Sequence, residues 1–271
     1  MKKAVNTHGL VKKAVVYVVL VIFAVIWISP IYIAVKKSFN IGGIDNYIYV
    51  LTYEKISYFK VIFNSLFISL CTTLVVVVIT TLAGYAFSKM QFKGSKIVFG
   101  MALGCLAIPV AAVTTPLFFT VMKFGLLDKL SGVILPLIAF NAPMMLLMVK
   151  NGFDSVPNEL LESARIDGAT KFQIYYKVML PLGVPVIANI SVLTFVYTWN
   201  DYLVPLLVIR DQAKYTVTLA SQFFMSSTYQ SPEDVARIYA VMILLTLPCM
   251  LVYLFSQKYL QVGITAGAVK G

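Results

Sequence analysis

Six long runs almost free of charge govern what this chain can fold into. They cover about 14–35, 62–87, 97–122, 131–149, 182–208 and 238–257. A run of roughly 18 or more uncharged residues is long enough to cross a bilayer as a helix. In lipid every backbone amide must find its partner within its own segment, so the helix is the structure open to single runs of this length. A water-soluble core is a poor alternative. Soluble domains are about half apolar and a quarter charged, whereas this chain is 60% apolar and 12% charged, with a mean hydropathy of +0.87. The expected fold class is an all-α integral membrane protein with six transmembrane helices, in a single domain over residues 1–271. The first run follows Lys2, Lys3, Lys12 and Lys13 much as a secretory signal would. Its apolar stretch nevertheless reaches Val35 with no small-residue cleavage site behind it, so it reads as a retained helix.

Charge orients the spans. With both termini in the cytoplasm, thirteen Lys and Arg lie on that side against nine outside, the sense of the positive-inside rule. The bias is clearest in the N-terminus and the 88–96 loop, which together hold seven cations and no acid. The expected localisation is thus multi-pass in a cell membrane with both termini cytoplasmic, and residues 150–181 fall inside. The net charge of +11 is spread between apolar runs rather than along one face, so it points to lipid headgroups and not to nucleic acid. Cys71, Cys105 and Cys249 are odd in number and widely spaced, and each sits in an apolar run. They offer no disulfide framework or metal set, and the single His8 has no partner in sequence. Eight prolines, at 30, 109, 116, 136, 143, 185, 205 and 248, fall in or near the runs. Kinks are expected at several of them.

The loop 150–181 is longer than a connection requires and carries helix signals of its own. Ser155 or Asp154 can cap a first short helix, with Pro157 in its first turn. Leu160, Leu161 and Ala164 then share a face. Gly168 suits a corner that a side chain would obstruct. Thr170 can cap a second helix bearing Phe172, Tyr175, Tyr176 and Met179 at helical spacing. A lipid-lying helix would accept the bulky residues, but Glu159, Glu162 and Asp167 do not favour an anionic surface. A protein partner fits both.

This segment resembles the coupling motif of bacterial ATP-binding cassette importers: Glu-Ala-Ala, three residues, Gly, nine residues, an aliphatic, one residue, Leu-Pro. Those places hold Glu162, Ser163, Ala164, Gly168, Val178, Leu180 and Pro181, with Ser163 for the middle Ala and Val178 for the usual Ile. The run Trp199-Asn200-Asp201-Tyr202-Leu203 is similar to the fifth span of sugar-type permeases, and the tail from Gly263 to Gly271 to the C-terminus of maltose-type ones. Asn64-Ser65-Leu66 extends the likeness from about residue 60 to the end. The resemblance implies the type I importer permease fold, with six spans and a cytoplasmic coupling helix. It implies a second related permease, two cytoplasmic ATPase subunits and an extracytoplasmic sugar-binding protein as partners. ATPase coupling would fall to Glu162, Ser163, Ala164, Asp167, Gly168 and Ala169, and a tail contact with the ATPase to Gly267, Lys270 and Gly271. No Gly-x-x-x-x-Gly-Lys-Ser/Thr loop occurs in the chain, so no cofactor is expected here, and ATP and Mg belong on the partner.

A path for sugars needs hydrogen-bonding groups and aromatic faces rather than fixed charge. Ser191, Thr194, Thr198 and Asp201 recur at intervals of three, four and three, with Tyr197, Trp199, Asn200 and Tyr202 beside them. Ser65, Ser69, Thr72, Thr73 and Thr80 form a similar stripe in the second run. Packing between helices explains such hydroxyls equally well. Asp201 lies either inside a span, as a functional acid, or near the outer interface. The outer loop 209–237 lies where a soluble binding protein would dock. No catalytic or metal-binding constellation is present: His-Glu-x-x-His and Gly-x-Ser-x-Gly are missing. A gradient-driven transporter would show several intramembrane charges and often an internal repeat, and would leave the coupling loop without a purpose. A permease for a non-sugar solute remains the alternative.

Overall fold

The computed structural model describes residues 7–90, 92–227 and 231–268, and side chains over 13–90, 92–225 and 231–257. All regular structure among them is helical. In chain order the helices are α1 (Thr7–Ser38), α2 (Asp45–Leu51), α3 (Tyr58–Lys89), α4 (Ser95–Gly104), α5 (Thr114–Lys123), α6 (Leu130–Asp154) and α7 (Asn158–Ile166). There follow α8 (Lys171–Ile174), a π-helical stretch Tyr175–Met179, α9 (Leu180–Leu182), α10 (Val184–Asn200), α11 (Leu203–Val208), α12 (Val217–Ser227) and α13 (Pro232–Ala268).

Four helices are long and apolar enough to span a membrane unbroken: Lys13–Ser38, Tyr58–Lys89, Leu130–Asp154 and Pro232–Gln257. The remaining two runs are bent pairs, Ser95–Ala107 with Val110–Lys123 at 92° and Lys171–Leu182 with Val184–Asn200 at 77°, which make six if each pair is one span. The first break sits at Pro109. Ile108 before it is extended, at φ −89° and ψ 113°, as the proline ring demands of its predecessor. The second lies at Gly183, ahead of Pro185. Pro30, Pro136, Pro143 and Pro248 stay inside continuous helices. The run expected over 182–208 is helical only to Asn200, because Asp201 turns extended, at φ −68° and ψ 129°. Its Oδ1 then accepts the Val204 amide at 3.0 Å to start α11, the competition with the helix backbone typical of Asp. Residues 258–268, expected as a tail, continue α13.

The chain divides into two compact units, residues 1–52 with 224–244, and 53–223 with 245–271. In the first, Asn46 is buried and donates to the carbonyls of Ser38, Asn40 and Ile41, closing the α1–α2 turn. The Arg237 guanidinium lies 4.4 Å over the Tyr49 ring. Along Lys13–Ser38 no residue of the apolar window is buried. In the second unit α3 and α6 form the core and α10 packs on both. Gly84 lets them close up: a Cβ there would lie 2.5 Å from Val149 Cγ1. Small polar residues at Ser65, Ser69, Thr72 and Thr80 share the buried face of α3 with Val61, Ile68 and Val76, as close helix packing in lipid favours. One apolar cluster gathers Val76, Met145, Val149, Phe153, Leu161, Ile174 and Met179 at the end carrying residues 150–181. A second joins Ile68, Val133, Leu137, Val204 and Val208 towards the other end.

Candidate functional site

The 150–181 element is two helices around a tight corner. Helix α6 runs through Asp154, so neither Asp154 nor Ser155 caps α7. Pro157 occupies the N-cap with no side-chain bond, at φ −59° and ψ 138°. Leu161 is the one buried residue of α7. Glu162, Ser163, Arg165 and Asp167 are exposed, and Ile166 is 87% exposed. Ser163 Oγ donates to Glu159 O at 2.9 Å, a placement that serves Ser as well as Ala. The corner is a Schellman turn, with the Gly168 amide on Arg165 O at 3.0 Å and the Ala169 amide on Ala164 O at 2.9 Å. Gly168 stands at φ +81°, with nothing within 4 Å of where a Cβ would go. The glycine is therefore required by its left-handed backbone and not, as expected, by crowding within this chain. Thr170, the expected cap, forms a reciprocal capping box with Gln173 that opens α8. Ala164, Ala169, Val178 and Leu180 lie against the apolar cluster.

Residues that sequence reasoning passed over fasten this element to α3. Thr81 and the Tyr175 hydroxyl are 2.9 Å apart. The Tyr85 hydroxyl donates to Lys171 O at 3.2 Å. Lys89 Nζ donates to Val156 O at 2.7 Å and to Asn158 Oδ1 at 3.0 Å. Ser88 Oγ donates to Asp154 Oδ1 at 2.7 Å, and Lys150 pairs with the same carboxylate. Ser88, Lys89, Asn158, Leu161, Glu162 and Arg165 line an open polar cleft between α3 and α7. The available signal was the recurrence of Thr81, Tyr85 and Lys89 every four residues, hidden at the end of an apolar run.

The expected path residues are not brought to one surface. Thr194, Thr198 and Trp199 are buried, with Trp199 stacked on Phe195 at 5.7 Å. Tyr197 and Tyr202 face outward, 53% and 38% exposed. Asn200 and Ser191 bond back to Val196 O and Ile187 O. Asp201 serves as the capping group of α11, and its carbonyl accepts from Thr218 Oγ1. Ser65 Oγ accepts the Val217 amide, and Asn64 donates to Ala213 O and Tyr215 O. These two residues anchor the start of α3. The hydroxyls of Ser69, Thr72, Thr73, Thr194 and Thr198 are buried without a hydrogen-bond partner among the described residues.

At the opposite end, Asp128 ties the α5–α6 turn to the chain after α11. Its Oδ1 accepts the Arg210 and Asp211 amides, each at 3.0 Å, and its Oδ2 accepts from Lys214 Nζ at 2.8 Å. The Asp211 amide, then the Lys214 ammonium and the Arg210 amide, hold the Asp128 carboxyl down at about 2. An unfolded Asp titrates near 3.9. A depressed folded value stabilises above the unfolded one, so the latch is complete above about pH 4 and is lost as pH falls through about 2. Hydrogen exchange at the Arg210 and Asp211 amides, corrected for intrinsic rates, should stay protected down to about pH 4 and lose protection below it. Asp128→Ala should lose that protection already at neutral pH; equal protection in variant and wild type would rule the latch out.

Lys270 and Gly271 lie outside the described residues, and Gly267 falls in the last turns of α13. The family described as binding-protein-dependent transport system inner membrane component matches residues 77–265. The arabinooligosaccharides transport system permease protein AraQ of Bacillus subtilis is 33% identical over 235 residues, 86% of this chain and 80% of that one. The maltodextrin transport system permease protein MdxG of Bacillus subtilis is 30% identical over 279 residues, 98% of this chain and 99% of that one. In fold the chain is similar to a chain of a bacterial ABC transporter involved in the import of the acidic polysaccharide alginate. That likeness has a TM-score of 0.80 at 22% identity, over 96% of this chain and 99% of the other.

Proposed function

The chain belongs to the family of binding-protein-dependent transport system inner membrane components, and from that premise we propose that it is a permease subunit of an ATP-driven sugar or oligosaccharide importer. It is a multi-pass membrane transport component and not an enzyme. The sugar assignment draws on the relatives that carry arabinooligosaccharides and maltodextrin. The observation that carries the reading is the surface of α7, where Ile166 is 87% exposed beside exposed Glu162, Arg165 and Asp167. Exposed Leu160 and Phe172 add to Ile166 on this element, and such apolar side chains set among charges are suited to burial against a protein. That protein is the ATPase, two copies of which bind and hydrolyse ATP with Mg in the cytoplasm. Glu162 supplies the polar contact, and Ser163, Ala164, Asp167, Gly168 and Ala169 shape the helix and its corner. With the ATPase on the cytoplasmic side, this reading has both termini in the cytoplasm.

The exposed span of α1 meets lipid or a second, related permease that completes the path. The extracytoplasmic binding protein docks at the opposite end, around the 209–237 segment. Thr194 and Thr198 are the path candidates that the geometry favours, because their hydroxyls gain partners when the helices part; the cytoplasmic end of the tail, with Gly267, Lys270 and Gly271, reaches the ATPase. Purified alone in lipid vesicles, the chain should neither hydrolyse ATP nor move maltodextrins or arabino-oligosaccharides. Assembled with its partners and the binding protein, it should import one of them in an ATP-dependent way. Activity of the lone chain above a protein-free control would defeat the proposal, as would an assembly that imports neither glycan.

A further inference from the structure

We propose that Thr81, Tyr85 and Lys89 are positioning residues that carry the movement of the 150–181 element into the bundle through α3, an inference that rests on the proposed function. The three recur every four residues, so they share one face of the last turns of α3. Each grips a different part of the element. Lys89 holds Val156 O and Asn158 at the start of α7, Tyr85 holds Lys171 O in α8, and Thr81 meets Tyr175 in the π-helical stretch.

Covalent continuity makes a different connection. The element is continuous with α6 and α10 only, and its joint to α10 is bent by 77° at Gly183. A bent joint beside a glycine and a proline transmits a push poorly. Helix α3 has no such joint, and it packs along both α6 and α10. Four hydrogen bonds from three residues of one unbroken helix to both halves of the corner make α7, α8 and α3 move together. A push on α7 thereby reaches the α3 face that carries the buried unpartnered hydroxyls Ser69 and Thr72. The chemistry allows the grip to be removed without emptying the core. The Tyr85 ring lies 5.7 Å from that of Tyr175, a contact that phenylalanine keeps. Lys89 is only partly buried, so a methionine replaces its stem while removing the donors.

The test uses the full assembly with its binding protein in vesicles, with maltodextrins and arabino-oligosaccharides as probes. Uptake is measured per ATP hydrolysed. For Lys89→Met combined with Tyr85→Phe, assembly and ATP hydrolysis should persist. Uptake per ATP should fall about tenfold, the shift in a two-state equilibrium expected on losing a charge-assisted hydrogen bond. Lys89→Arg, which still donates, should restore most of the ratio. A purely structural role would instead lower uptake and hydrolysis together, and that result overturns the inference, as does an unchanged ratio. If the double variant fails to assemble, Tyr85→Phe alone decides, and an unchanged ratio there is equally fatal. A wild-type assembly without ATP-dependent uptake would remove the proposed function itself, and this inference with it.

Discussion

Replacing Gly168 by Asp is expected to abolish retention of the ATPase on affinity-purified permease, and with it ATP-dependent uptake, while the helices still insert. Two effects combine. The residue stands at φ +81°, where a side chain costs about 1–2 kcal/mol. Aspartate is among the residues that tolerate this region best, and among the described residues no atom crowds the position. The corner therefore survives within the permease. What it loses is its outer face, because a carboxylate now projects from the turn between α7 and α8 into the surface assigned to the ATPase. Gly168→Asn separates the two effects, since it keeps the backbone strain and removes the charge. It should retain more ATPase than Asp does. Glu162→Ala is the companion variant. Removing one partner of a buried charge-assisted contact commonly costs about 2–5 kcal/mol, so hydrolysis should be uncoupled from uptake or the ATPase loosened. Full retention and full uptake in both Gly168→Asp and Glu162→Ala would mean that the 150–181 element does not dock the motor.

The second large effect lies in the bundle itself. Gly84→Leu should prevent the close passage of α3 along α6 and leave little folded protein to purify. A Cβ at this position would lie 2.5 Å from Val149 Cγ1 and 3.4 Å from the Lys150 amide nitrogen. Val149 is fully buried, and as a β-branched residue it has few rotamers to escape into. Overpacking of this kind costs about 1–3 kcal/mol and sometimes more. Gly84→Ala, the smaller insult, should give a folded protein with a lower thermal midpoint in detergent. Combining it with Val149→Ala should recover part of the loss, since residues in direct contact couple by about 0.5–3 kcal/mol in such cycles. A wild-type midpoint for Gly84→Leu would show that α3 and α6 are not held this closely.

These two glycines illustrate different degrees of legibility. Gly168 could be picked out in the sequence because a motif surrounds it at fixed spacing, and its left-handed turn is a local event closed by amides within five residues. The Thr170 cap was readable for the same reason, with its glutamine partner three residues on. Gly84 had no such signal. It looks like an ordinary residue in an apolar run, and only Val149, 65 positions later, gives it a task. Proline was ambiguous from the sequence. Of the eight in or near the runs, Pro109 breaks its helix where Ile108 turns extended, while Pro136 and Pro143 remain inside α6.

The candidate path was the least readable part. A stripe of hydroxyls and aromatics in α10 has the same spacing whether it lines a channel or a seam, so periodicity could not tell Trp199, stacked in the core, from Tyr197, facing outward. Asp201 was ambiguous in sequence between a functional acid and an interfacial one; its bond to the Val204 amide gives it a third role, ending one helix and starting another.

The sequence by itself determined the class, the helical runs, the family and the corner between α7 and α8. Each of these depends on hydropathy or on contacts a few residues apart, and both are written along the chain. The tertiary structure alone decided where runs break and which polar groups meet. The bonds of Lys89 to Val156 and Asn158, and of Asp128 to Arg210 and Asp211, join positions 67 to 83 residues apart. Such partners exist only once helices pack, because packing sets which side chain reaches which carbonyl or amide.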